Sequence, residues 1–405
     1  MRTKRQVCLS IMILLAVAAV LTGCNPLGIF NIGGGGSAKT KSLIVAEYNN
    51  NRVLIYDAPF STNQSASVAL GQVSLTASTF GTSASAMNSA STVAIDSNGN
   101  IWASDAESNC RVLQFKTPFT TGMSASVVIG KPDFTSAGCA GAPTATNTGV
   151  GLGLALDSGG NLWVSDWTNN RVLEFKPPFS NGMAATLVLG QADMTHGTCN
   201  QGGSVSSSTL CAPRHITFDS SGNLWVADGD NNRILEFKPP FSTNMAASLE
   251  LGQPTATAFT TGGANQGGLS ASSLNEPNGI VFDGSGNLWV ADWQNSRVLE
   301  FKPSFSNGMA ASLVLGQAVF TTNTTGITST TFNAAAAVDF DTSGNLFVAD
   351  EFNNRTLIFA PPFSNGMAAT TVLGQADFTH GAANQGGTVG AQTQNSPFAV
   401  ITSTH

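Results

Sequence analysis

The chain has 405 residues, of which only 10% are charged, and a formal net charge of −7. Binding to a phosphate backbone draws its affinity from clusters of Lys and Arg; none is present, which excludes nucleic acid as the expected partner. The 43 glycines, with abundant Ser, Thr, Ala and Asn, suit many short strands joined by turns rather than long helices.

In chain order, Arg2, Lys4 and Arg5 precede an apolar run over residues 7–20, which is short for a membrane span. The run ends in Leu21-Thr22-Gly23-Cys24. This resembles the lipobox of bacterial lipoproteins, and the resemblance implies a signal peptide over 1–23 and acyl chains on Cys24. Several acyl chains together anchor stably where one is marginal. The lipid bilayer is then one partner, and the address is the extracytoplasmic cell envelope. Asn25 is not the acidic residue that resembles an inner-membrane retention signal, which favours the outer membrane. Residues 24–41, with four consecutive glycines, read as a flexible tether spanning roughly 20–25 Å. Without residues 1–23 the chain holds 14 basic and 24 acidic residues, a balance of −10.

Residues 42–405 repeat. The Arg of a recurring N-[NSC]-R motif stands at 52, 111, 171, 233, 297 and 355, at intervals of 58–64 residues. Residues 277–317 show one full unit: GIVF, the tight turn DGSGN, LWVAD, an Asn-rich turn, RVLEF, a longer connection, and ASLVLG. Four strands per unit describe one blade of a propeller. In the turn, Asp96, Asp157, Asp219, Asp283 and Asp341 are placed to cap through their own side chains. The glycines at 99, 160, 222, 286 and 344 are free to take positive φ. A Pro-Phe or Pro-Ser-Phe step follows each third strand, ending it, with the Phe (60, 119, 179, 241, 305, 363) expected between blades. The unit resembles the NHL repeat, whose signature is G-x-L-[WF]-V-x-D followed by N-x-R-[VI]. The expected fold is an all-β, six-bladed β-propeller with four antiparallel strands per blade, as a monomer. The first unit lacks a first strand, and residues 396–401 match only a first strand. The C-terminal strand is therefore expected to close the ring in blade one, covering exposed sheet edges.

Cys110, Cys139, Cys199 and Cys211 remain for an oxidising compartment. Pairing 110–139 and 199–211 is the most local of three connectivities. A metal site is the rival reading, with no C-x-x-C or nearby His pair to support it.

Residues common to all six units belong first to folding. These include the acid ending each second strand (Glu47, Asp105, Asp166, Asp228, Asp292, Asp350) and the following Arg; the column of Trp102, Trp163, Trp225 and Trp289, filled by Ile44 and Phe347 in the other two units, is likewise core. Function is sought where one blade departs. After the acid come Tyr48, Ala106, Trp167, Gly229, Trp293 and Glu351, and the aromatics Tyr48, Trp167 and Trp293 could stack on sugar rings or apolar ligands. Arg214 and His215 open blade four, and Glu276 and Asn278 open blade five. Asp339 lies within the first strand of blade six and should find a partner, water or cation. These five are expected at the mouth of the central channel. His196 and His380 share an A-D-[MF]-T-H-G motif in opposite blades, and N-Q-G-G recurs at 200–203, 265–268 and 384–387 with no assigned chemistry.

Six-bladed propellers that this one resembles include calcium-dependent lactonases, a lyase that opens cyclic peptide antibiotics and a zinc-using amidating lyase. The chain has no D-x-D-x-D-G loop, H-E-x-x-H or G-x-S-x-G. A channel-bound calcium ion thus has no motif behind it, no cofactor is expected, and no residue is assigned a catalytic role. The expected function is a non-catalytic module binding a peptide, glycan or protein. The alternatives are a metal-dependent enzyme using Glu276, Asp339 and His215 at the channel, and a structural envelope protein.

Overall fold

Short apolar runs punctuated by Gly, Pro, Asn and Asp leave the repeat unit one way to bury its side chains: as hairpins stacked face to face. The computed structural model describes residues 41–139, 141–253 and 259–404. They form 24 strands in six four-stranded antiparallel sheets. Each sheet follows chain order from innermost to outermost strand except the first, where Pro397–Ser403 is innermost, followed by Ser42–Glu47, Arg52–Asp57 and Val68–Leu70. The closing register runs from Ser42 opposite Ser403 to Glu47 opposite Pro397. The inner strands Ala90–Ile95, Gly151–Leu156, Pro213–Phe218, Pro277–Phe282 and Ala335–Phe340 complete the ring about the axis, each beside the next. The expected signal peptide, Cys24 and all but the last residue of the expected tether lie outside the described residues.

The repeated motifs have repeated jobs. In the D-x-x-G-N turn the first carboxylate oxygen accepts the amide two residues on, as from Gly159 to Asp157 at 2.9 Å, and the glycine sits near φ +80°. The second oxygen accepts the indole N–H of the buried Trp on the next strand: Trp163 to Asp157, Trp225 to Asp219 and Trp289 to Asp283, each 3.1 Å. The Phe after the Pro packs edge-on against the aromatic residue of the preceding blade in five of the six blades, as Phe179 on Trp102 at 4.7 Å and Phe241 on Trp163 at 4.9 Å, while Phe119 follows a blade that carries Ile44 in that column. Phe60 on Phe347 carries this contact across the ring closure.

Each motif Arg is fully buried and binds in three directions. Arg297 donates through Nε to Asp292 at 2.7 Å, through Nη2 to the carbonyls of Ser270 and Ser273, and through Nη1 to that of Phe320. It joins its own hairpin to the loops before and after the blade through charge-assisted bonds. Arg52 pairs with Glu47 and reaches the carbonyls of Gly390 and Thr393, so the same device straddles the closure. Disulfides Cys110–Cys139 and Cys199–Cys211 staple the long loops, which suggests an oxidising, extracytoplasmic location.

The N-Q-G-G loops are latches. Asn200 and Asn231 exchange reciprocal side-chain amide bonds at 3.0 and 2.9 Å, as do Asn265 and Asn295 at 3.0 and 2.8 Å. Asn384 pairs with Asn50 in the same way, joining the last loop to blade one.

Candidate functional site

Strand direction sorts the side chains between two faces. Each inner strand starts on the face that carries the loops between second and third strands and the long inter-blade loops. On that face a pocket of about 300 Å³ opens at the axis, lined by Tyr48, Val150, Leu152, Trp167, Arg214, Trp293, Glu351, Phe352 and Phe398. Five aromatic side chains from four blades thus converge where no single blade could assemble them. Tyr48 and Phe398 pack at 5.7 Å between ring centres, and Trp293 meets Phe352 edge-on at 5.7 Å. Trp167 has no ring partner among the described residues and is 36% exposed. Phe352, at 52%, is more exposed still.

Arg214 is the basic group of the pocket. Its guanidinium donates to Glu276 Oε2 at 2.7 Å and lies 5.0 Å from the centre of the Trp293 ring, within cation–π range. Burial holds its pKa below the ordinary arginine value, while Glu276, Asp230 and Glu351 oppose that shift. The indole of Trp293 donates to Glu351 Oε2 at 2.7 Å, and Ser396 donates to Oε1 at 3.0 Å. Burial raises the pKa of Glu351 despite these donors. At the rim, the Tyr48 hydroxyl donates to Glu107 Oε1 at 2.9 Å, and its phenol pKa is raised by burial first and then by that bond.

Of the residues singled out in the sequence, Tyr48, Trp167, Trp293 and Arg214 line this pocket and Glu276 braces Arg214. Asn278 occupies the position of Arg214 in its own blade but does not line the pocket; it is buried, with its Nδ2 lacking a hydrogen-bond partner. His215, one residue further along, packs between blades with Nδ1 3.5 Å from the amide of Ile280. Burial pushes its pKa down to about 4, so the ring is neutral at physiological pH. Asp339 corrects the expectation that all these residues share one mouth. It lies near the far end of its inner strand, where Oδ2 accepts the amide N–H of Thr402 at 2.6 Å, and burial pushes its pKa up to about 7. Its partner is the closing strand. His196 and His380 are each held by the Asp of their own motif, Asp193 and Asp377, at 2.7 Å.

Phe352 and Phe398 were missed, and Glu351, named in the column of Trp293, was passed over in favour of the aromatics there. Phe398 stands in the column of Arg214 and Asn278, so comparing that column blade by blade would have found it. Larger clefts, of about 740, 640 and 420 Å³, lie between blades on the opposite face and are lined by the D-x-x-G-N turns. They recur with the repeat, so the same logic that assigns repeated residues to folding assigns these clefts to it. Among the described residues no group of three or more His, Cys, Asp or Glu side chains is placed to hold a metal ion, and no helix is long and apolar enough to cross a membrane.

The NHL repeat profile matches residues 210–237 and 274–301, the first three strands of blades four and five. Blades four and five carry NHL repeats. No curated protein sequence matches the chain. Among solved structures, the chain is similar to a protein of unknown function from Bacteroides caccae, at 10% identity over 90% of this chain and 98% of that one, with a TM-score of 0.50. A candidate 6-phosphogluconolactonase from Bacteroides uniformis matches at 12% identity over 90% and 100% of the two chains, with a TM-score of 0.48. A catalytically inactive virginiamycin B lyase from Staphylococcus aureus with quinupristin matches at 12% identity over 82% and 84%, with a TM-score of 0.43. At 10% identity the likeness to the Bacteroides caccae protein is one of fold.

Proposed function

We propose that this NHL propeller is a non-catalytic binding module of the bacterial cell envelope, tethered through acyl chains on Cys24, that captures a group of a peptide, glycan or protein in its axial pocket. The observation that carries this reading is the convergence of Tyr48, Trp167, Trp293, Phe352 and Phe398 on one cavity. Ligand sites are typically concave, apolar and supplied with a few polar groups, and Arg214 and Glu351 are those groups here. All six exposed large hydrophobic residues among those described (Val73, Phe80, Trp167, Val319, Ile327 and Phe352) lie in loops of this same face. Exposed apolar residues gathered on one face suit an interaction surface.

The test is capture on peptide and glycan arrays by the mature chain and by a Tyr48→Ala, Trp167→Ala, Trp293→Ala variant. The reading expects signals that the variant loses. Signals that survive the triple change would place any ligand elsewhere. The lipid tether is tested separately, by mass spectrometry of the mature N-terminus and by membrane release in a Cys24→Ser variant.

A further inference from the structure

The chemistry of the pocket's charges narrows its ligand. The pocket is walled by ring faces, which carry negative electrostatic potential, and by the carboxyl of Glu351. Glu276 retains 32% exposure behind Arg214, and Glu107 and Asp230 stand exposed on the adjoining turns. The one cation lining the pocket is Arg214, whose charge is already engaged by Glu276 and the face of Trp293.

The surrounding face continues the pattern. Asp133, Asp193 and Asp377 are exposed on its long loops, whereas the only lysine there among the described residues, Lys131, is buried. The exposed Lys116, Lys176, Lys238 and Lys302 directly follow third strands, which puts them on the opposite face. His196 and His380 share the pocket face, but each is held against an aspartate. An approaching cation therefore meets acids and aromatic faces, and an approaching anion meets no exposed lysine or arginine on this face among the described residues.

Within the pocket, Arg214 over Trp293 is the chain's own instance of a cation held on this aromatic wall. Trp167, partly exposed, supplies a second surface against which no ring or cation of the described residues packs. We infer that the pocket selects an organic cation, a methylated ammonium or guanidinium group, either free or as the side chain of a basic peptide. This rests on the pocket being a binding site. It goes further by predicting discrimination against neutral ligands of the same shape.

The experiment is calorimetric titration of the full mature chain at 0.15 M salt with four probes: choline, its uncharged carbon isostere 3,3-dimethylbutan-1-ol, a trimethyllysine peptide and cellobiose. The expected result is that choline or the peptide binds at least tenfold more tightly than the isostere. Trp167→Ala then weakens binding at least tenfold, Trp167→Phe restores most of it, and Glu351→Gln weakens it severalfold, with melting temperatures confirming folded variants. Choline binding alone points to a free ligand, and peptide binding alone to a side chain, both within the proposal. Equal binding of choline and isostere, cation binding indifferent to Trp167, or no cation binding would each overturn it. Cellobiose binding that Trp167→Ala abolishes would overturn the cation class while leaving the pocket as a site. Capture on arrays that is blind to the triple alanine variant would overturn the site itself.

Discussion

A Cβ on Gly229 would stand 2.5 Å from Nε of Arg214. The column that holds Tyr48, Trp167 and Trp293 in other blades is therefore empty of side chain in blade four because Arg214 lies across it on its way to Trp293. The two departures are one feature. Gly229→Ala is predicted to push the guanidinium off the Trp293 face and to cost about 1–2 kcal/mol in denaturant unfolding. In an Arg214→Ala background most of that cost disappears, leaving the residue from the carbonyl of Ala212, 3.0 Å from the same Cβ. Purely additive costs would mean that the contact does not govern the position.

The buried Arg column predicts a large loss. Arg297→Met leaves Asp292 buried without its counter-charge and frees three loop carbonyls. The expected cost is about 3–5 kcal/mol, with partial recovery on adding Asp292→Asn. A cost near that of an exposed pair, below about 1 kcal/mol, would contradict the structural role.

Ring closure predicts that removing residues 397–405 lowers the melting temperature sharply and promotes association. The deletion strips the inner strand from Ser42–Glu47 and bares that edge. Thermal scans with light scattering test this, and an unchanged transition would show that the strand contributes no closure.

Asp339 gives a pH signature. Burial raises its folded pKa from 3.8 to about 7. A carboxyl that holds its proton more tightly when folded stabilises fully below its unfolded value and loses that contribution as pH rises through 7. Asp339→Asn should therefore match the wild type near pH 4 and exceed it by a few degrees at pH 8, the gap opening between those values. Calcium should not change the wild-type transition. A gap independent of pH, or a calcium-dependent rise that the Asn variant loses, would instead make Asp339 a charged, ligand-holding group.

Much of this was legible because six copies act as internal controls. The turn aspartates, buried tryptophans and closing strand follow from what recurs, and Tyr48, Trp167, Trp293 and Arg214 from what does not. The limits are geometric. Asp339 lies three residues beyond the Arg214 position of its strand, roughly 10 Å at the usual rise, so the two belong to different ends of the channel. Asn200 and Asn231 offered no sign of pairing, since that depends on a loop folding back over the next blade. Phe398 reaches the pocket only because the chain's end returns to its beginning.

On the proposed function, the axial aromatic pocket holds the ligand. The most direct measurement is the dissociation constant of the best array ligand for wild type and for Trp167→Ala, Trp293→Ala, by calorimetry on samples of matched secondary structure. Losing two aromatic contacts should weaken binding roughly 30- to 100-fold. An unchanged constant would contradict the claim.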